Sequence, residues 1–259
     1  MAGFHDKSLR LLPKVPEISD EAIAKIADVE ARIRRPLPAA VRDWYVRKDA
    51  CAILETYSNQ DPPVALDNLG RPITAWRGNG NLHDLAAEGL LYIRSENQGV
   101  CGWAVRLDDG DDPAVVVNYG DIADLSEWEP QADTLSDYIF CSIWDFGGAF
   151  SSEWLLQAQN GPLTEGALDS LRLRFRENVR THGWPGDTQY RFDGDGQRLL
   201  IWNVDGMCAD WFLAADNEPS LAEAARKIWR LDDVGKAFWS HKEKSKAALA
   251  RIAAGMVTR

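Results

Sequence analysis

Apolar residues recur at helical spacing near the start of the chain. After Ser19, a side chain suited to capping a helix, and with Asp20 and Glu21 in the first turn, Ile23, Ile26, Val29 and Ile33 predict an amphipathic helix over 19–34. Pro36 ends it, and Pro38 opens a second helix carrying Val41, Trp44 and Tyr45 on one side. The stretch SNQDPPVALDNLGRP at 58–72 is rich in turn formers and reads as a connection. The period then changes to two. Leu90 to Arg94 is a short apolar run. Val100 to Leu107 places Cys101, Trp103, Val105 and Leu107 on one face, opposite the smaller and more polar Gly102, Ala104 and Arg106. Ala114 to Tyr119 is rich in β-branched residues and predicts an antiparallel neighbour, joined to the preceding strand across DDGDD at 108–112. TLSDYIFCSIWDFGG, from Thr134, returns to helical spacing through Leu135, Tyr138, Ile139 and Ile143 and stops at Gly147 and Gly148.

Further along, Thr164 can cap a helix in which Leu168, Leu171, Phe175 and Val179 share a face. Three strands follow, YRF at 190–192, QRLLIWNV at 197–204 and CADWFLAA at 208–215, joined by Asp-Gly turns. Ser220 and Glu223 form a capping box for a helix over LAEAARKIW. The expected fold class is α+β. An antiparallel sheet with an N-terminal helix pair and flanking helices occupies 1–150, and a helix, three-strand, helix segment, either a second module or an extension of the sheet, occupies 151–233. In the tail, 234–259, Lys236, Lys242, Lys244, Lys246, Arg251 and Arg259 stand against Glu243; it is expected as a solvated basic helix, with docking onto the acidic body as the alternative.

Composition narrows the partners. A 45% hydrophobic content over 259 residues suffices for a normal core, and a net charge of -11 with a pI near 4.9 argues against binding the phosphate backbone of nucleic acid. No apolar run approaches the ~18 to 20 residues of a membrane span, and the first residues lack a signal-peptide core, so no membrane partner and a cytoplasmic location are expected.

The chemistry-bearing residues form no recognisable constellation. Cys51, Cys101, Cys141 and Cys208 show no zinc spacing and read as reduced core cysteines. His5, His83, His182 and His241 lie in polar, turn-like or tail settings and are expected to be solvated. Nucleophile-elbow, phosphate-loop, dinucleotide and metalloprotease signatures are missing. Asp108, Asp109, Asp111 and Asp112 lack the calcium-loop pattern, and so does FDGDGQRLL at 192–200; both read as Asp/Gly turns between strands, and the four aspartates are expected to be solvated. No metal and no cofactor are expected. Among eleven tryptophans, Trp76, Trp128 and Trp184 lie in predicted loops, where a tryptophan is commonly part-buried and can otherwise serve as a carbohydrate platform or a protein contact.

Three blocks carry a family resemblance: IADVEARIRRPLPAAVRDWY at 26–45, ENQGVCGWAVRLDDGDDPAVVV at 96–117 and TLSDYIFCSIWD at 134–145. In this order they resemble the SUKH superfamily of Smi/Knr-type proteins over roughly the first 150 residues. The resemblance implies an α+β domain without catalytic residues that acts by stoichiometric binding, most often as an immunity protein against a toxin domain. Many such toxins are basic, and an acidic surface complements them. The residues singled out for partner contact are Asp108, Asp109, Asp111, Asp112, Trp76 and Trp128. A scaffold or regulator without a toxin is the alternative reading, and a hydrolase with an unrecognised carboxylate pair is the third. Sequence leaves the oligomeric state open.

Overall fold

The computed structural model describes residues 3–74 and 81–257, and the chain divides into two compact units, 1–146 and 147–259. The fold is α+β, with helices packed on antiparallel sheets.

In the first unit a short helix α1 (Asp6–Leu9) precedes α2 (Asp20–Ile33), whose N-terminus is capped by Ser19 Oγ accepting from Ala22 N–H at 3.2 Å. Ile26 and Val29 are buried, whereas Ile23 is 49% exposed and only flanks the packed face. The chain turns at Arg34 in the left-handed region and enters α3 (Ala39–Tyr45), followed by α4 (Ala50–Thr56). Pro38 at the start of α3 has no side chain with which to cap it. A two-stranded ribbon of β1 (Ile73–Thr74) and β2 (Leu82–His83) leads to a four-stranded meander. Its strands, β3 (Leu90–Ser95), β4 (Gly102–Arg106), β5 (Val115–Asn118) and β6 (Glu129–Ala132), pair in sequence order, with Trp103 opposite Val117 and Val105 opposite Val115. Helix α5 (Leu135–Trp144) closes the unit, capped by Thr134.

Both faces of this sheet are covered. Leu91, Trp103, Val105 and Val117 pack with Val29, Trp44 and Ile139 from the helices. The opposite face, expected to be the smaller and more polar one, holds Leu90, Tyr92, Ala104 and Val116 beneath Leu85, Ile122 and Trp128. Ala104 is small because large rings already occupy that side: Tyr92 and Trp128 meet edge to face at 6.4 Å.

The second unit is built on a six-stranded sheet of order β7-β12-β11-β10-β8, with β9 beside β10. Strand β7 (Trp154–Asn160) comes first, then α6 (Glu165–Arg174), β8 (Arg176–Glu177), β9 (Thr181–His182), β10 (Thr188–Gly194), β11 (Gln197–Val204) and β12 (Cys208–Ala215). Leu156, Phe192, Leu199, Ile201, Trp211 and Leu213 form one face of the sheet and pack with residues of α6, α7 (Glu218–Ile228) and α9 (Glu243–Val257); the short α8 (Val234–Ala237) lies between the last two.

Three expectations are corrected here. Helix α6 ends at Arg174 because Phe175 adopts extended backbone and leads into β8, so Val179 lies beyond the helix. Helix α7 is capped by Asn217, which accepts from Ser220 N–H at 2.9 Å, and Ser220 is therefore inside the helix. The basic tail is docked: Ser245, Ala248 and Ile252 of α9 are buried, and Ser245 Oγ donates to Glu153 O at 2.9 Å while accepting from Leu155 N–H at 2.9 Å. Between its lysines α9 carries a face of small and apolar side chains that packs with Ala224 and Ala225 of α7.

Candidate functional site

The acid-rich turn between β4 and β5 is the most distinctive feature of the first unit, and its four aspartates have different fates. Gly110 supplies the left-handed backbone (φ +81) that closes the turn. The Asp111 carbonyl accepts from Ala40 N–H at 2.8 Å, which satisfies a first-turn donor of α3 that Pro38 cannot cap. Asp112 is half-buried, and its carboxylate accepts from Ser136 N–H at 3.0 Å and from Ser136 Oγ at 2.5 Å in the first turn of α5. Arg35 donates to Leu107 O at 2.9 Å and to Asp108 Oδ1 at 2.5 Å. The turn is thus held by the α2–α3 connection, by the start of α3 and by the start of α5. The expectation of four solvated acids is corrected: Asp112 is a helix cap, Asp108 is ion-paired yet 78% exposed at its side chain, and Asp109 and Asp111 project into solvent.

Beside this turn lies an open hollow of about 270 Å3 lined by Glu88, Arg106, Asp108, Asp109 and Leu125. Leu125 is 46% exposed, an apolar contact among acids. Sequence reasoning missed Glu88 and Leu125; the signal was Leu125 set between the polar Asp124, Ser126 and Glu127. Trp128 does not line the hollow. Trp128 is 4% exposed and donates its indole N–H to Ile122 O at 3.2 Å, which corrects its reading as a surface contact. Trp76 lies outside the described residues.

The charge is unevenly divided. Residues 1–146 contain 25 Asp and Glu against 14 Lys and Arg, a net -11, whereas 147–259 contain 15 of each and are neutral. The whole formal charge of the protein therefore resides in the unit that carries the acidic turn.

The buried polar groups of the first unit serve packing. A bulge at Ile93 shifts the register of β3, so that Arg94 stands opposite Trp103 and turns to the helix-covered face. There its guanidinium donates to Leu54 O, to Tyr138 Oη at 3.1 Å and to Asp61 O at 3.4 Å, and lies 5.9 Å from the centre of the Trp103 ring. Burial raises the Asp61 carboxyl above its usual range, against the opposing charge of Arg94. Burial also pushes the Cys51 thiol up to about 11 and the Cys101 thiol further, so both are protonated at neutral pH and poor nucleophiles. His5, expected in solvent, is wholly buried, with Nε2 2.8 Å from Ala40 O and its ring edge to face with Trp44. Among the described residues no group of three or more His, Cys, Asp or Glu side chains could hold a metal ion, and no helix is long and apolar enough to cross a membrane.

Neither the models of protein families, nor the curated proteins, nor the solved structures give a match to this chain.

Proposed function

We propose that this chain is a non-catalytic, cytoplasmic binding protein of the immunity type, whose first unit meets a basic surface of a cognate toxin domain in a stoichiometric complex. One observation carries the reading. The acidic turn is fixed in place by the Arg35, Ala40 and Ser136 contacts while Asp109 and Asp111 remain exposed, in a unit of net charge -11. A pre-ordered charged surface loses little conformational entropy on binding, and complementary charge speeds encounter. The Glu88–Asp109 hollow, with Leu125 at its wall, offers an apolar contact within the same patch. The three blocks that resemble the SUKH superfamily supply the α2–α3 pair, the turn-bearing β4–β5 hairpin and α5, so the resemblance and the acidic surface point to the same part of the chain.

Co-expression tests the reading. Cells producing the toxin domain encoded beside this gene should survive when the full chain is co-produced, and survival should be lost with a Glu88→Lys, Asp109→Lys, Asp111→Lys variant. Failure of the wild-type chain to protect against every neighbouring toxin would refute the immunity role, and would leave a regulatory scaffold as the reading of the same surface.

A further inference from the structure

The second unit contains a feature of opposite sign. Arg174 at the end of α6, Arg226 and Lys227 in the last turn of α7, and Arg230 just beyond it converge on a hollow of about 290 Å3 whose remaining lining is Leu231 and Met256. We propose that this hollow binds a small organophosphate, with the cations on its phosphate group and Leu231 and Met256 against its apolar part.

Cations at the ends of α6 and α7 also offset the helix macrodipoles, which is the simpler explanation of their presence. Magnitudes limit it. The C-termini of α6, α7 and α9, the last carrying Met256, supply about half a negative charge each. Glu223, which pairs with Lys227 at 2.7 Å, adds one more. Against four cations this leaves roughly one and a half uncompensated positive charges, close to the charge of a phosphate monoester at neutral pH. Lys227 is further held by Gln197 at 3.4 Å, whereas no carboxylate lies within ion-pair distance of Arg174, Arg226 or Arg230 among the described residues. Three guanidiniums are the donors best matched to phosphate oxygens, because each offers parallel N–H groups. The size of the hollow lies at the lower end of small-molecule pockets. The net charge of -11 on the whole chain opposes the approach of a nucleic acid, whose affinity would need many backbone contacts.

Titration calorimetry of the full chain with phenyl phosphate, inorganic phosphate and a short single-stranded RNA tests this. Phenyl phosphate should bind one to one and more tightly than inorganic phosphate. The double variant Arg226→Gln, Arg230→Gln and the single variant Arg174→Gln, all at exposed positions, should each weaken it about tenfold or more, with unchanged circular dichroism. Lys236→Gln, which removes an exposed lysine outside the hollow, should bind like wild type. No binding of phenyl phosphate at millimolar concentration, binding unaltered by the Arg variants, or tighter binding of the RNA with a steep salt dependence would each overturn the proposal.

Discussion

The Asp112 carboxylate accepts hydrogen bonds from both the backbone N–H and the hydroxyl of Ser136, 24 residues further along the chain, and so joins the acidic turn to the N-terminus of α5. Asp112→Ala removes a charged cap and strands a Ser136 donor, and should destabilise the protein by about 1 to 2 kcal/mol. Asp109→Asn and Asp111→Asn remove only exposed charge and should stay within about 0.5 kcal/mol of wild type. Urea unfolding followed by circular dichroism separates them; equal losses for all three would mean that Asp112 does not cap α5.

Arg94 should be the most sensitive polar residue of the first unit. Arg94→Met leaves Leu54 O, Asp61 O and Tyr138 Oη without their donor and should cost about 3 kcal/mol or more. Arg94→Lys should recover little of this, since an ammonium cannot span acceptors arranged for a planar fork. A lysine variant as stable as wild type in the same denaturation assay would show that charge alone suffices there.

Stability should fall on mild acidification through His5. Burial holds the His5 imidazole below its ordinary value of 6.5, outweighing the Ala40 hydrogen bond and the nearby Asp43 and Asp112 charges, which act the other way. The unfolded chain therefore takes up this proton first. The contribution of His5 is fully present above pH 6.5 and is lost as the pH falls from there through the folded value. Comparing urea midpoints at about pH 7.5 and about pH 5.5, His5→Gln should show a shallower decline than wild type. Parallel declines would place the acid sensitivity elsewhere.

The docked tail makes Ser245 a structural residue of the second unit. Ser245→Ala leaves Leu155 N–H and Glu153 O without the hydroxyl that joins them and should cost about 1 to 3 kcal/mol. Ile252→Ala, which opens a gap under α9, should cost about 2 to 4 kcal/mol. Lys244→Gln should be neutral, because that side chain is exposed. Fast hydrogen exchange throughout α9 in the wild-type chain would contradict the docked arrangement.

Elements specified by near neighbours were legible in the sequence. Ser19 and Thr164 do cap α2 and α6, and the apolar alternation around Trp103 and the Asp-Gly turns of the second unit marked strands that form. What escaped depends on distant partners. Strand β7 is defined by pairing with β12, about 50 residues away, so its pattern WLLQAQN carried little local signal. Trp128 is buried because Tyr92 and Ile122 meet it on the second sheet face, and Arg94 turns inward because a bulge resets its side. The candidate site was half legible: the acidic turn was visible, whereas the division of labour among its aspartates needed Arg35, Ala40 and Ser136 brought alongside.

The most direct measurement is stopped-flow association of the full chain with the toxin domain encoded next to its gene, at about 0.05 M and about 0.5 M salt. Binding through the acidic surface should give a one-to-one complex whose association rate falls at least about tenfold with salt, and falls similarly in the Glu88→Lys, Asp109→Lys, Asp111→Lys variant at low salt, with little change in dissociation. The absence of any complex with neighbouring toxins, or an association rate indifferent to both salt and the charge-reversed variant, would contradict it.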